Sequence, residues 1–310
     1  MRPSKNKANC GPKLKRCYKK IVNRKTILIT GGSGYLGQHL TAYAAQNFTV
    51  HTTYYTHPTQ IKAGHPLPLD LGNRTAVMRL LDMLTPQAVI HTAAINPGGN
   101  EREMMRVNLE GARHIAEGSV AVGARLIYVS SDVVHNGKNA PYLDDTAPSP
   151  INLYGRSKAE AETAITEVDP QAAIVRTSLI YGLTQMDRGT AGFVKQLQTG
   201  QTLVLFNDVI RQPIWVETLS EALLRLTDVD FAGVLNVAGR QALTREEFGQ
   251  RMLAWWGVDD GDRIKSGRAA DVSSTIPLDL RMEVVKAEQL LQMNFPGVDE
   301  VLVLHRASQP

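Results

Sequence analysis

The stretch TILITGGSGYLG, residues 26–37, constrains the fold more than any other part of the chain. Thr26–Thr30 is a short apolar, β-branched run that reads as a buried strand. Glycines follow at once at 31, 34 and 37, and Gly37–Asn47 then reads as a helix. A strand that turns into a helix N-terminus through glycines leaves backbone N–H groups bare of Cβ atoms, which is what an approaching phosphate requires. Gly31 permits the tight turn, Gly34 lets a pyrophosphate come close, and Gly37 lets helix and strand pack. Taken alone, G-x-x-G-x-x-G also suits a bare turn. Its place between strand and helix is what points to nucleotide binding.

The alternation continues downstream. Phe48–Tyr54 reads as a second strand, Arg74–Leu84 as a helix, Ala88–Ala94 as a strand and Met105–Val122 as a helix. Arg125–Ser131 is the next strand, Asn152–Glu167 the next helix, and Ala172–Ile180 a strand again. Short strands separated by helices of ten or more residues predict βαβ units. The fold class expected is therefore α/β, a Rossmann-type doubly wound parallel sheet covered on both faces. After Gly182 the rhythm breaks. A helix near Gly192–Leu197 precedes Leu203–Phe206 and Glu217–Thr227, then a strand at Gly233–Ala238. A helix over Thr244–Trp256 opens on the capping pattern Thr244-Arg-Glu-Glu247. The division expected is a basic tail over 1–24, a nucleotide-binding domain over 25–182 and a smaller mixed α/β substrate lobe over 183–310, with the chain free to cross between lobes.

The formal charge of +4 is a sum of two unlike parts. Ten of the 34 Lys and Arg lie in residues 1–25, where there is no acid; against the 30 Asp and Glu, the other 24 leave the rest of the chain at −6. Such a body is not a basic-faced nucleic-acid binder. The tail reads as a disordered extension of low hydrophobicity. Both cysteines, Cys10 and Cys17, sit in it, which excludes a disulfide framework from the body and suits a cytoplasmic location. No run of eighteen apolar residues exists, so no membrane span is expected. The eight histidines form no H-E-x-x-H, and no metal site is expected. There is likewise no G-x-S-x-G elbow and no P-loop, and Trp255-Trp256 reads as lobe packing.

Three further features carry chemistry. The end of the second strand, where an NAD site usually places a carboxylate for the ribose hydroxyls, has no acid anywhere in His51–Lys62 but includes His57 and Lys62. That favours NADP(H), with NAD(H) left open. Tyr154 and Lys158, four apart on a helix, stand on one face. A phenol near pKa ~10 is a poor acid–base group, and a neighbouring ammonium lowers that value. Ser130 and Ser131 fall at the carboxyl end of a predicted parallel strand, where such sheets bind ligands. Each feature has a plain structural reading. Their order along the chain, glycine loop, strand-end serine, then Tyr-x-x-x-Lys, is the stronger signal.

That order resembles the extended short-chain dehydrogenase/reductase superfamily over residues 25–300. Asp70-Leu71, His91-Thr-Ala-Ala94, Val107-Asn108-x-x-Gly111, Pro148-x-x-x-x-x-Tyr154 and Arg176-Thr-Ser-Leu-Ile-Tyr-Gly182 agree with it. Within the superfamily, Ser131-Asp-Val-Val-His-Asn-Gly137 and Tyr154-Gly-Arg-Ser-Lys-Ala-Glu-Ala-Glu162 look most like the dTDP-4-dehydrorhamnose reductases. The resemblance implies a catalytic set of Ser131, Tyr154 and Lys158. Tyr154 would protonate the substrate carbonyl oxygen, Lys158 would hold the nicotinamide ribose and lower the tyrosine pKa, and Ser131 would orient the carbonyl. The cofactor would lie on Gly31, Ser33, Gly34, Tyr35, Leu36 and Gly37, with Asp70, Leu71, Ala93, Ala94, Asn108, Tyr154 and Lys158 completing its site. Asn96, Ser131 and Arg211 would face the substrate, a nucleotide sugar such as dTDP-4-dehydrorhamnose.

The sequence departs from the reductase pattern on the substrate side. Ile95-Asn-Pro-Gly-Gly-Asn-Glu101 lacks the expected Tyr-Thr, Gly192-Phe193 stands where Asn-Phe is usual, and Asp208-Val-Ile-Arg-Gln-Pro-Ile214 replaces Asp-Gln-x-Gly-x-Pro-Thr. Arg211 suits either a substrate phosphate or a structural role. An epimerase that keeps its nicotinamide bound is one alternative. A dehydratase is disfavoured, because no glutamate follows Asp132. Asn139–Tyr154 also looks like the regulatory β subunit of methionine adenosyltransferase, which makes a non-catalytic NADP-binding subunit the other alternative. No nucleic-acid or membrane partner is expected for the body, and a homodimer is left open.

Overall fold

The computed structural model describes residues 24–258 and 262–309. All of the basic tail except Arg24, with Cys10 and Cys17, lies outside the described residues. The first half runs β1 (Thr26–Thr30), α1 (Tyr35–Ala44), β2 (Thr49–Tyr54), β3 (His65–Pro68), α2 (Arg74–Leu84) and β4 (Ala88–His91). It continues through α3 (Glu101–Met105), α4 (Gly111–Ala121), β5 (Arg125–Ser131), α5 (Leu153–Val168), β6 (Ala173–Thr177) and β7 (Ile180–Tyr181). The second half runs α6 (Arg188–Gln198), β8 (Leu203–Phe206), β9 (Ile210–Arg211), β10 (Ile214–Trp215), α7 (Val216–Arg225) and β11 (Gly233–Val237). It closes with β12 (Leu243–Thr244), α8 (Arg245–Trp255), β13 (Ile264–Gly267), α9 (Val285–Leu291) and α10 (Val298–Leu304).

Seven strands form one sheet in the order β11-β6-β5-β4-β1-β2-β3, and every pairing in it is parallel. Strand period two divides its side chains between two cores. Ile27, Ile29, Ala88, Ile90, Ile127 and Val129 pack with α1 and α7 on one face. Leu28, Val89, Leu126 and Tyr128 pack with α2 and α4 on the other. Both faces are covered, which is why the strands read as continuous apolar runs.

The departures from the sequence reading have local causes. The edge strand β3, His-Pro-Leu-Pro, gives no strand signal because prolines are tolerated only at an edge. The helix expected over 105–122 starts earlier and is broken by a π turn at Arg106–Glu110 between α3 and α4. The strand expected over 172–180 leaves the sheet after Thr177, and β7 pairs instead with β10. Residues 233–237, beyond the break at Gly182, supply the outer strand β11 beside β6, so the chain returns to the main sheet.

The rest of the second half builds on two-stranded pairs, β7–β10, β9–β12 and β8–β13, with α6, α8 and α10. Thr244 caps α8 through the full reciprocal box with Glu247. Trp255 is buried with Tyr181, Phe248 and Met252, and its ring N–H donates to the Leu183 carbonyl at 3.2 Å. No helix among the described residues is long and apolar enough to cross a membrane. No group of three or more His, Cys, Asp or Glu among them is placed to hold a metal ion.

Candidate active site

The glycine loop is a backbone surface with no room for side chains. Gly31 has φ +73°, and a Cβ there would lie 2.7 Å from Ala93 Cα, just past the end of β4. A Cβ on Gly37 would lie 2.1 Å from the Gly31 carbonyl oxygen, so the first turn of α1 rests directly on the loop. Gly34 caps α1 without any side-chain hydrogen bond, leaving the helix N-terminus open to an anion. Tyr35 turns away, its hydroxyl donating to the Gln185 carbonyl at 3.0 Å, while Leu36 is buried and Ser33 is half-buried. These features fit a dinucleotide pyrophosphate.

The surrounding candidates fall on the same sheet edge. The Ala93 N–H donates to Thr30 Oγ1 at 3.3 Å, and Thr30 Oγ1 lies 2.6 Å from His91 Nδ1, which ties the ends of β1 and β4 together. Asp70 and Leu71 follow β3; Asp70 Oδ1 accepts from the Gly72 N–H at 2.9 Å and from Arg106 at 2.8 Å. Asn108, in the π turn, is buried and bridges three points. Its Oδ1 accepts from the Ile95 N–H at 2.7 Å, and its Nδ2 donates to the Ile95 carbonyl and to Ser157 Oγ, both at 3.0 Å. Asn108 thus holds the loop after β4 against α5. Asn96 is exposed on that loop. At the end of β2, Tyr55, His57 and Lys62 are exposed, with no carboxylate among residues 51–62.

Ser131 ends β5, and Tyr154 and Lys158 lie one turn apart on α5. The Asn152 side chain caps this helix through the Gly155 N–H at 2.8 Å. A Cβ on Gly155 would lie 2.2 Å from the Val133 carbonyl oxygen, so α5 approaches the end of β5 only because residue 155 is glycine. Successive serines diverge, as strand geometry requires. Ser130 Oγ donates to Glu162 at 2.5 Å behind the site, and Ser131 Oγ donates to Asp132 Oδ1 at 3.1 Å in front. Asp132 is 0% exposed and held by Arg211 through Nε at 2.8 Å and Nη2 at 2.6 Å.

Lys158 is 3% exposed. Its Nζ donates to the Val129 carbonyl at 2.7 Å and stands 4.1 Å from the centre of the Tyr128 ring. Burial brings its pKa down to about 7, although Glu162 opposes the change. Burial and the Asp132 carboxylate push Tyr154 up to about 12, against the opposing charge of Arg211. The lowering of the Tyr154 pKa by Lys158 that the spacing suggests is therefore reversed. The ammonium is turned to Val129 and Tyr128, and the phenol feels its burial first and the Asp132 carboxylate second. A phenol held this way stays protonated at neutral pH and can only donate.

Three groups in this neighbourhood escaped the sequence reading. Asp132 is one, although it adjoins Ser131. The second is the buried pair of Glu162 and Arg176 behind Lys158, with Arg176 Nη2 2.7 Å from Glu162 Oε2; both residues stood in quoted motifs without a role. The third is Arg245, whose position in a helix-capping pattern already explained it.

A parallel sheet of this order, with a glycine loop after its first strand and Ser, Tyr and Lys beside its carboxyl edge, defines a nucleotide-binding α/β protein of the extended short-chain dehydrogenase/reductase type. The chain belongs to the RmlD substrate-binding domain family, which matches residues 25–295. It is 34% identical over 237 residues to the dTDP-4-dehydrorhamnose reductase of Mycobacterium tuberculosis (strain ATCC 25618 / H37Rv), covering 72% of each chain. It is 30% identical over 195 residues to methionine adenosyltransferase 2 subunit beta of Pongo abelii; that match covers 61% of this chain and 54% of the other, so the chain spans about half of that relative. In fold it is similar to the dTDP-4-dehydrorhamnose reductase of Bacillus anthracis str. Ames in complex with NADP. The TM-score there is 0.78 at 22% identity, covering 92% of this chain and 99% of that one.

Proposed function

We propose that the chain is an NADP(H)-dependent reductase of a carbonyl group, its substrate a 4-keto sugar nucleotide such as dTDP-4-dehydrorhamnose. The observation that carries this reading is the placement of Ser131, Tyr154 and Lys158 around the carboxyl ends of β5 and the start of α5, on the same edge as the glycine loop. The bound nicotinamide supplies the hydride. The bare loop of Gly31, Gly34 and Gly37 and the open end of α1 hold the pyrophosphate, and the acid-free rim beyond β2 admits the 2′-phosphate of NADP(H). Ser131 turns its hydroxyl from Asp132 to the substrate carbonyl and orients it. Tyr154, protonated at neutral pH, gives its proton to the carbonyl oxygen as the carbon is reduced, and the alcohol results. Lys158, near half-charged when alone, gains its proton fully beside an anionic cofactor and binds the ribose.

The likeness to methionine adenosyltransferase 2 subunit beta supports a second reading, a non-catalytic NADP-binding subunit. One experiment separates the two: keto sugar nucleotides are offered with NADPH and its oxidation is followed by absorbance. The reductase reading expects turnover that falls about 10²- to 10⁴-fold in Tyr154→Phe. The rise in Tm with NADPH, larger than with NADH, is expected to persist in that variant. An undiminished rate in Tyr154→Phe overturns the mechanism. Complete inactivity with co-purification of a synthetase favours the subunit.

A further inference from the structure

The seven-stranded sheet ends in β11, and the outer side of that strand is only partly covered. The Gly233 N–H donates inward to the Ala172 carbonyl at 3.0 Å, so by the alternation of a parallel strand Val234 and Asn236 turn their main-chain groups outward. Asp144 Oδ1 takes the Asn236 N–H at 2.6 Å. Among the described residues nothing takes the Val234 N–H or donates to its carbonyl. Val234 lines a groove of about 530 Å³ between residues 143–145 and the start of α9. The apolar lining is completed by Ala232 and by Leu143 and Val285, all three exposed. Folded proteins cover open edges of this kind, and an extended segment does so by adding main-chain hydrogen bonds.

Charge selects the occupant. Asp145 and Glu283 line the groove, are exposed, and make no side-chain hydrogen bond or ion pair among the described residues. Lys286, which also lines it, is engaged by Asp144 at 3.7 Å and by the Phe231 ring at 5.0 Å. Along the turn that enters β11, Asp228 and Asp230 are exposed as well, and Asp228 holds Lys25 Nζ at 2.9 Å. Lys25 is where the basic tail joins the body, and residues 1–23 carry eight Lys and Arg and no acid. A run of acids therefore leads from the root of the tail to the groove. β1 and β11 stand four places apart in the sheet, about 19 Å at the usual strand spacing, which about six extended residues span. Tyr18 and the residues before it have that reach. We propose that the segment Lys13–Tyr18 docks in cis in this groove, its Lys and Arg side chains against Asp145 and Glu283 and its main chain against Val234. Tethering supplies an effective concentration on the order of millimolar, so a contact too weak to hold a free peptide is enough. The groove lies at the amino end of β11, away from the carboxyl edge that carries the glycine loop and Tyr154.

The test uses the full chain and compares wild type with Asp145→Asn/Glu283→Gln, two exposed positions outside the catalytic set. Unchanged NADP⁺ binding verifies that the double variant is folded. Hydrogen exchange of the Val234 amide is expected to be about tenfold faster in the variant, and trypsin cleavage after Lys13, Lys15 and Arg16 to quicken by a similar factor. Replacing Lys13, Lys15 and Arg16 by Gln in an otherwise unchanged chain is expected to expose the Val234 amide to the same degree. Equal exchange at Val234 in wild type and either variant, or equal cleavage in wild type and the groove variant, would overturn the docking. Protection of Val234 that grows with protein concentration would assign the groove to the tail of a second copy and overturn docking in cis.

Discussion

Lys158 shows how one side chain can serve a site at the expense of the fold. Buried with only a carbonyl and an aromatic face as partners, its ammonium has a pKa of about 7 against an ordinary 10.5. Between those values the unfolded chain holds the proton and the folded chain does not, so stability rises with pH across that window. Below about pH 7 the folded protein carries the buried cation and its full cost. Lys158→Met is therefore expected to raise Tm more at pH 6 than at pH 9, while abolishing the proposed reductase activity; equal gains in melts at the two pH values would contradict the burial argument. Of the residues legible in the sequence at this scale, Tyr154 and Lys158 share one face by helical spacing, and Ser131 falls at the end of the preceding strand β5. Asp132 and Arg211 were not legible as a pair, because 79 positions separate them and only the return of the chain through β9 brings them together.

At the scale of elements, α5 is tied to β6 by the Glu162–Arg176 pair, with side chains 5% and 2% exposed. Arg176 adds bonds to the Thr146 carbonyl at 2.9 Å, and Ser130 supplies a further donor to Glu162. Arg176→Met leaves a carboxylate buried without its main partner and is expected to cost about 3–5 kcal/mol in urea unfolding. The double variant with Glu162→Leu should recover most of that loss, since removing both charges leaves none uncompensated; no recovery would show that the arginine acts by packing alone. The long helices were readable from periodicity because each buries one face, and the inner strands as continuous apolar runs because the sheet is covered on both. The bounds of β1, α2 and β5 fall where the sequence places them. The π turn at Arg106–Glu110 was not, since an i→i+5 turn inside an otherwise helical pattern changes no hydrophobic period clearly.

For the whole molecule, one core joins distant parts of the chain: Ile27, Val50 and Ile127 pack with Leu219, Leu235, Leu280 and Phe295. A fragment ending at residue 182 lacks α7, β11 and the segment from 280 to 295, and leaves that face of the sheet half-covered, with α1 but without α7. Residues 25–182 alone are thus expected to show no cooperative thermal transition by circular dichroism, whereas residues 25–310 should melt in one; a sharp transition in the short fragment would make the first half an independent domain. The change of rhythm after Gly182 marks where the repeating βαβ pattern ends, but rhythm is local and says nothing about which strand lies beside β6. The sequence by itself determined the α/β class, the parallel sheet, the glycine loop and the shared helix face of Tyr154 and Lys158, because each depends on period or spacing within a few turns of chain. Only the tertiary structure decided that β11 completes the sheet and that burial and Asp132, rather than Lys158, set the Tyr154 phenol. Those outcomes depend on burial and on charges from separate segments, and electrostatics in a dry interior follows distance in space, not position in sequence.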